Sequence, residues 1–78
     1  MVSHSRVDRE AVLKKFGERV RTERERFGIS QERLASWSGL DRTYIGGVER
    51  GERNLALVNI VKIAKALALK PSELLGDL

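Results

Sequence analysis

The sequence predicts an all-α domain, a compact five-helix bundle, and three observations carry that reading. Apolar residues recur at spacings of three and four along most of the chain, and no stretch alternates with the period of two that marks a half-buried strand. Residues that start or stop helices, Asp8, Gly28, Ser30, Gly39, Asp41, Gly51 and Pro71, punctuate the periodic stretches. No internal repeat and no Pro-, Gly- or Ser-rich linker divides the chain. Residues 8–78 therefore read as a single domain, preceded by a flexible N-terminus over residues 1–7 that lacks periodicity.

Each element has a local reason. Asp8 can cap a first helix over about residues 8 to 26, with an apolar stripe of Val12, Leu13, Phe16, Val20 and Phe27. Gly28 stops it, and Ser30 is a good N-cap for a second helix beginning at Gln31. There Leu34, Ala35 and Ser38 share one face, and Ala35 is small enough for another helix to cross close over it. Gly39 can take the positive φ that a sharp interhelical turn needs. Leu40 plugs the corner, and the Asp41 carboxylate is expected to accept the free amides of a third helix. That helix runs from about Arg42 to Arg50, with Ile45 and Val48 inward and Arg42, Thr43, Tyr44, Gly46 and Gly47 outward. After the polar loop Gly51, Glu52, Arg53, Asn54, the run LALVNIVKIAKALAL predicts a fourth helix to about Leu69. Pro71 suits the first turn of a short fifth helix through Leu75.

Composition limits the partners. A chain of 78 residues buries only about 60% of its unfolded surface, which leaves a monomer marginal. There is no cysteine, so disulfides and thiolate metal sites are out of reach, and a reducing cytosol is the natural compartment. His4 alone makes no metal site, and no cofactor is implied. No apolar run approaches the roughly 20 residues needed to cross a bilayer, and no signal peptide pattern is present, so a cytoplasmic protein with no membrane contact is expected. Fifteen Lys and Arg against eleven Asp and Glu give a net charge of +4, which suits a polyanion. Ten of the fifteen are Arg, the side chain that grips phosphate and guanine edges with two parallel hydrogen bonds. A well-solvated charged surface would give the same composition.

The fourth helix carries more apolar surface than one small core needs. Between Leu57 and Leu69 its polar residues, Asn59, Lys62 and Lys65, occupy a stripe of about 120° at 100° per residue. Part of Leu57, Val58, Val61, Leu69, Leu74, Leu75 and Leu78 is therefore expected at the interface of a homodimer. The alternative is a fourth helix wrapped on several sides within the monomer.

Residues 31–50, QERLASWSGLDRTYIGGVER, form two short helices about a turn, a unit that usually presents its second helix to DNA. Together with the Gly39-Leu40-Asp41 corner and the Val48-Glu49-Arg50-Gly51 closure, residues 13 to 76 resemble the Xre and Cro-like helix-turn-helix family of bacterial and phage regulators, a lambda repressor-like DNA-binding fold. Within it, LDRTYIGGVERGERN looks most like the controller proteins of restriction-modification systems, small dimeric regulators that set the timing of endonuclease expression.

The resemblance implies roles residue by residue. Ser30 and Gln31 are expected contacts to the DNA backbone, Gln31 matching a position that touches a DNA phosphate and braces the recognition helix. Arg42 and Thr43 match positions that reach base edges: Arg suits guanine O6 and N7, and the Thr methyl suits a thymine methyl. Tyr44 is placed to reach a base or a phosphate. For Arg42 the plainer role is an ion pair with Asp41 or Glu52. Gly46 and Gly47 each cost about 1 kcal/mol inside a helix, and relatives often carry base-reading polar residues there. The expected reason is close approach of helix backbone to DNA, with direct readout left to Arg42, Thr43 and Tyr44 and the rest to DNA shape. Arg53 and Asn54 match a loop that runs along the sugar-phosphate backbone, positioning without specifying. Arg24 and Glu49 match a structural ion pair from the first helix to the end of the recognition helix. Ala56 and Lys70 depart from the usual Ser or Thr caps. Trp37 is open between stacking on Arg33 and packing beside the first helix.

The implied function is a homodimeric, sequence-specific transcription regulator on a pseudo-palindromic double-stranded DNA operator, with RNA polymerase a further candidate partner. An antitoxin or phage-type repressor would share the fold, and gene neighbourhood would separate these. A protein-interaction module that lost its DNA role is a third reading, opposed by the outward Arg42, Thr43, Arg53 and Asn54. An enzyme is disfavoured, because no carboxylate pair, nucleophile with base, metal cluster or phosphate loop is present.

Overall fold

A computed structural model describes residues 6–78 of the chain. Of the flexible N-terminus expected over residues 1–7, the first five lie outside the described residues. Five helices follow in order: α1 (Arg9–Phe27), α2 (Gln31–Ser38), α3 (Arg42–Glu49), α4 (Leu57–Ala66) and α5 (Pro71–Leu75), and no strand occurs among the described residues.

One core joins all five. Phe16 and Val20 of α1, Leu34 and Ala35 of α2, Ile45 and Val48 of α3, Ile63 and Ala64 of α4, Leu67 and Leu74 are buried together. Each Leu, Ile or Val in this set contributes about 1.5 to 3 kcal/mol relative to an exposed position. α1 and α3 approach closely at Gly17. A Cβ there would overlap the Val48 carbonyl oxygen and come within 2.7 Å of that of Glu49. The sequence reading did not single out Gly17, yet it sets the distance between α1 and the end of α3.

Helix ends are cut by a repeated device. After α2, Gly39 takes φ +71° and the Leu40 amide donates to the Ala35 carbonyl at 3.0 Å, which satisfies a carbonyl that the helix leaves open. α4 ends the same way but without glycine: Ala68 sits at φ +57° and the Leu69 amide donates to the Ala64 carbonyl at 2.8 Å. The fourth helix therefore stops at Ala66, short of the expected Leu69. At the start of α5 the Glu73 carboxylate accepts the Lys70 amide at 2.9 Å, although lysine has no side-chain acceptor to return the bond.

Two apolar assignments change. Phe27, expected on the core stripe, is 48% exposed. It meets Trp37 edge to face at 5.6 Å, and the Arg33 guanidinium lies 5.8 Å from the same indole. Trp37 thus does both things that were open to it, packing on α1 and stacking with Arg33. Leu74, placed among the interface candidates, is 1% exposed and belongs to the core, because α5 turns this residue inward where it packs against α1 and α4. Leu57 and Val58 stand at 70% and 62% exposure. Leu78 is exposed, Val61, Leu69 and Leu75 are half-buried, and the last two pack on the core.

Candidate nucleic-acid interface

The site is built on α2 and α3, fixed to each other by a polar brace. Ser30 caps α2 as expected, its Oγ accepting the Arg33 amide at 3.0 Å. Glu49, at the end of α3, is buried and would be costly there without partners. Arg24 of α1 supplies them: Nε donates to Glu49 Oε2 at 2.7 Å and Nη2 to Oε1 at 3.0 Å, the parallel pair that makes such contacts strong. The hydrogen bond to Glu49 holds the Arg24 pKa above its ordinary value, against the opposing pull of burial. Arg24 Nη1 also donates to the Ile29 carbonyl at 2.9 Å, and Gln31 Nε2 donates to Glu49 Oε1 at 3.1 Å. One carboxylate thereby ties α1, the link to α2, the start of α2 and the end of α3.

The outer side of α3 is only partly as expected. Arg42 and Thr43 are exposed in its first turn. Neither ion pair open to Arg42 forms among the described residues: Glu52 pairs with Arg50 instead, at 3.1 Å. Asp41 occupies the N-cap position, but its side chain makes no capping hydrogen bond, so the expected carboxylate cap is absent. Tyr44 is half-buried, and its hydroxyl oxygen accepts from Asn59 Nδ2 of α4 at 3.2 Å. Arg53 stacks on its ring at 5.7 Å.

Gly46 and Gly47 do not face outward. Both are buried, and this chain's own side chains fill the space above them. A Cβ on Gly46 would lie 3.1 Å from Arg50 Nη1 and 3.6 Å from Gln31 Oε1, and one on Gly47 would lie 3.0 Å from both Cγ and Nε of Arg53. The two glycines form a shelf that carries two guanidinium groups across the helix surface. Arg53 and Asn54 remain exposed in the following loop. The residue missed in the sequence is Arg50. Its position at the end of a helix gives no hint that the side chain folds back one turn over a glycine.

The exposed face therefore offers Ser30, Arg42, Thr43, Arg50, Arg53 and Asn54 on a braced two-helix frame. Such a face can grip phosphates and present an arginine to base edges. Among the described residues no group of His, Cys, Asp or Glu could hold a metal, and no helix is long and apolar enough to cross a membrane.

A family model described as helix-turn-helix matches residues 20–74. The chain belongs to this family and is a DNA-binding transcriptional regulator. Its relatives include restriction-modification control proteins. C.BamHI of Bacillus amyloliquefaciens is 51% identical over 61 residues, 77% of this chain and 75% of the relative. C.SmaI of Serratia marcescens is 52% identical over 60 residues, 77% of this chain and 71% of the relative. Among solved structures, the controller protein C.AhdI of Aeromonas hydrophila superposes with a TM-score of 0.81 at 61% identity, covering 82% of this chain and 97% of that one.

Proposed function

We propose that the protein is the controller of a restriction-modification system, acting in the cytoplasm as a homodimer on a pseudo-palindromic operator, its own promoter included. The observation that carries this reading is the pair Arg42 and Thr43, exposed and in no ion pair or side-chain hydrogen bond among the described residues, at the start of a helix whose far end is locked by Arg24, Glu49 and Gln31. Arg42 reads guanine and Thr43 a thymine methyl. Tyr44 adds the hydrogen of its hydroxyl, whose oxygen is already occupied by Asn59. Ser30, Gln31, Arg53 and Asn54 contact the sugar-phosphate backbone, together with the arginines that cover Gly46 and Gly47. The dimer buries Leu57, Val58 and Val61 of α4 with Leu78 beside them, and an activating role adds RNA polymerase as a partner. The names of the relatives support the controller reading over an antitoxin or phage-type repressor.

Selection of bound sequences from random DNA, followed by footprinting, tests it. Two related half-sites should emerge about 10 to 10.5 base pairs apart centre to centre. Affinity should fall roughly 10³- to 10⁵-fold between about 50 and 200 mM salt if six to ten phosphates are engaged. A single unrepeated site would contradict the dimer.

A further inference from the structure

The ring of Tyr44 is half-buried and packs on the core. At its tip the hydroxyl oxygen accepts from Asn59 Nδ2 of α4 at 3.2 Å, so both packing and a hydrogen bond hold it in place. The Arg53 guanidinium lies over this ring, 5.7 Å from the centroid. Beneath the arginine stem is Gly47, where a Cβ would lie 3.0 Å from both Cγ and Nε of Arg53. A loop arginine thus has a floor of helix backbone and an aromatic wall, both supplied by α3. Among the described residues it joins no ion pair.

We propose that Tyr44 is a positioning residue for Arg53, its ring holding the guanidinium in the pose that grips a DNA phosphate. The proposal rests on the reading of α3 and the loop after it as the DNA-facing surface. An exposed arginine samples many rotamers, and its contribution to affinity is scaled by the fraction of time spent in the binding pose. A ring that favours this pose raises the fraction. The gain is real only if the stack survives in the complex. It can survive, because stacking uses the flat face of the guanidinium, whereas hydrogen bonds to phosphate use its N–H edge. Arg50 differs, since its edge is shared with the Glu52 carboxylate. Arg53 touches no base in this reading, so the ring strengthens operator and random DNA alike and leaves their ratio unchanged. The hydrogen of the Tyr44 hydroxyl stays available to DNA throughout.

Two measurements test the proposal, the first without DNA. In NMR spectra of the full chain, the ring current of Tyr44 should shift the Arg53 side-chain protons upfield. Tyr44→Phe should keep most of that shift and Tyr44→Leu should lose it. Arg53 protons that resonate in wild type as they do in Tyr44→Leu overturn the proposal. The second measurement is the loss of affinity for random duplex caused by Arg53→Ala in three backgrounds: wild type, Tyr44→Phe and Tyr44→Leu. Most of the wild-type loss should persist in Tyr44→Phe, where the core still holds the ring, whatever the missing hydroxyl costs by itself. In Tyr44→Leu the loss should be smaller by about twofold to fivefold per half-site, the factor that an exposed cation–π contact contributes. An undiminished loss in Tyr44→Leu means that the ring does nothing for Arg53 and overturns the proposal. A loss diminished as far in Tyr44→Phe as in Tyr44→Leu overturns it too, placing the effect in the hydroxyl. Full affinity in Arg53→Ala is a separate failure: it overturns the reading of the loop as a backbone contact, and the proposal with it, even where the upfield shift is present.

Discussion

Ala68 takes φ +57°, a left-handed conformation that costs a residue with a Cβ about 1 to 2 kcal/mol. Two bonds fix it there, from the Ala68 amide to the Lys65 carbonyl at 3.0 Å and from the Leu69 amide to the Ala64 carbonyl at 2.8 Å. Ala68→Gly should therefore stabilise the protein, by about 0.5 to 1 kcal/mol once the greater freedom of glycine in the unfolded chain is subtracted. A urea titration with a lowered midpoint would count against this account of the α4 terminus. The same comparison shows what was readable at this scale. Gly39 announces its turn, whereas alanine is the best helix former and disguises one, so the expected helix ran on to Leu69. Burial of Leu67 and packing of Leu69 on the core decide the stop, and both act at long range. Gly46 and Gly47 could be recognised as a broken helix rule, but not what they make room for, because Arg50 and Arg53 carry no local mark of folding back. Gly17 is the opposite case, a glycine with an ordinary helical setting and no visible reason. Gly17→Ala would press a methyl into the backbone of α3 and should cost about 1 to 3 kcal/mol, as overpacking does. Thermal unfolding reads it, and an unchanged Tm would mean that α1 and α3 separate freely.

Between elements, the brace around Glu49 sets the angle at which α3 is presented. Its side chain is 3% exposed and that of Arg24 12%, so losing the arginine strands a buried carboxylate. Arg24→Ala should destabilise by roughly 3 kcal/mol, the lower part of the range for broken buried pairs, because Arg24 keeps some contact with water. Gln31→Ala should cost about 1 kcal/mol, since it removes one hydrogen bond to a charged group that retains two others. Chemical denaturation of both variants checks the order, and equal losses would show that the carboxylate does not depend on the bidentate arginine. Helix starts and stops were mostly legible because they follow from capping chemistry within a few residues: Asp8, Ser30 and Gly39 all act as their types predict. The Asp41 carboxylate was misjudged, its side chain left free of the first turn of α3. A pair separated by 25 residues, such as Arg24 and Glu49, has no periodic signature and entered only through the family resemblance.

At the scale of the whole molecule, the surplus apolar arc of α4 was visible in the sequence, but its division between core and surface was not. That division depends on which face α5 covers, and α5 placed Leu74 inside while leaving Leu57 and Val58 outside. A second copy covering these two residues predicts a dimer at micromolar concentration in sedimentation. Leu57→Asp with Val58→Asp should give a folded monomer, and a wild-type chain still monomeric at hundreds of micromolar would exclude the dimer. The central claim is that one end of α3 reads sequence while the loop beyond its other end grips backbone, and Arg42→Ala against Arg53→Ala tests it most directly. Affinities for the operator, for an operator with its half-site guanines replaced, and for random DNA are measured at one salt concentration. Arg42→Ala should remove about 1 to 3 kcal/mol of discrimination per half-site and bring the first two affinities together. Arg53→Ala should weaken all three by similar factors and lower the salt slope by about one unit per half-site. If Arg42→Ala instead lowers all three equally and keeps the operator-to-random ratio, Arg42 is a phosphate contact and α3 does not read bases as described.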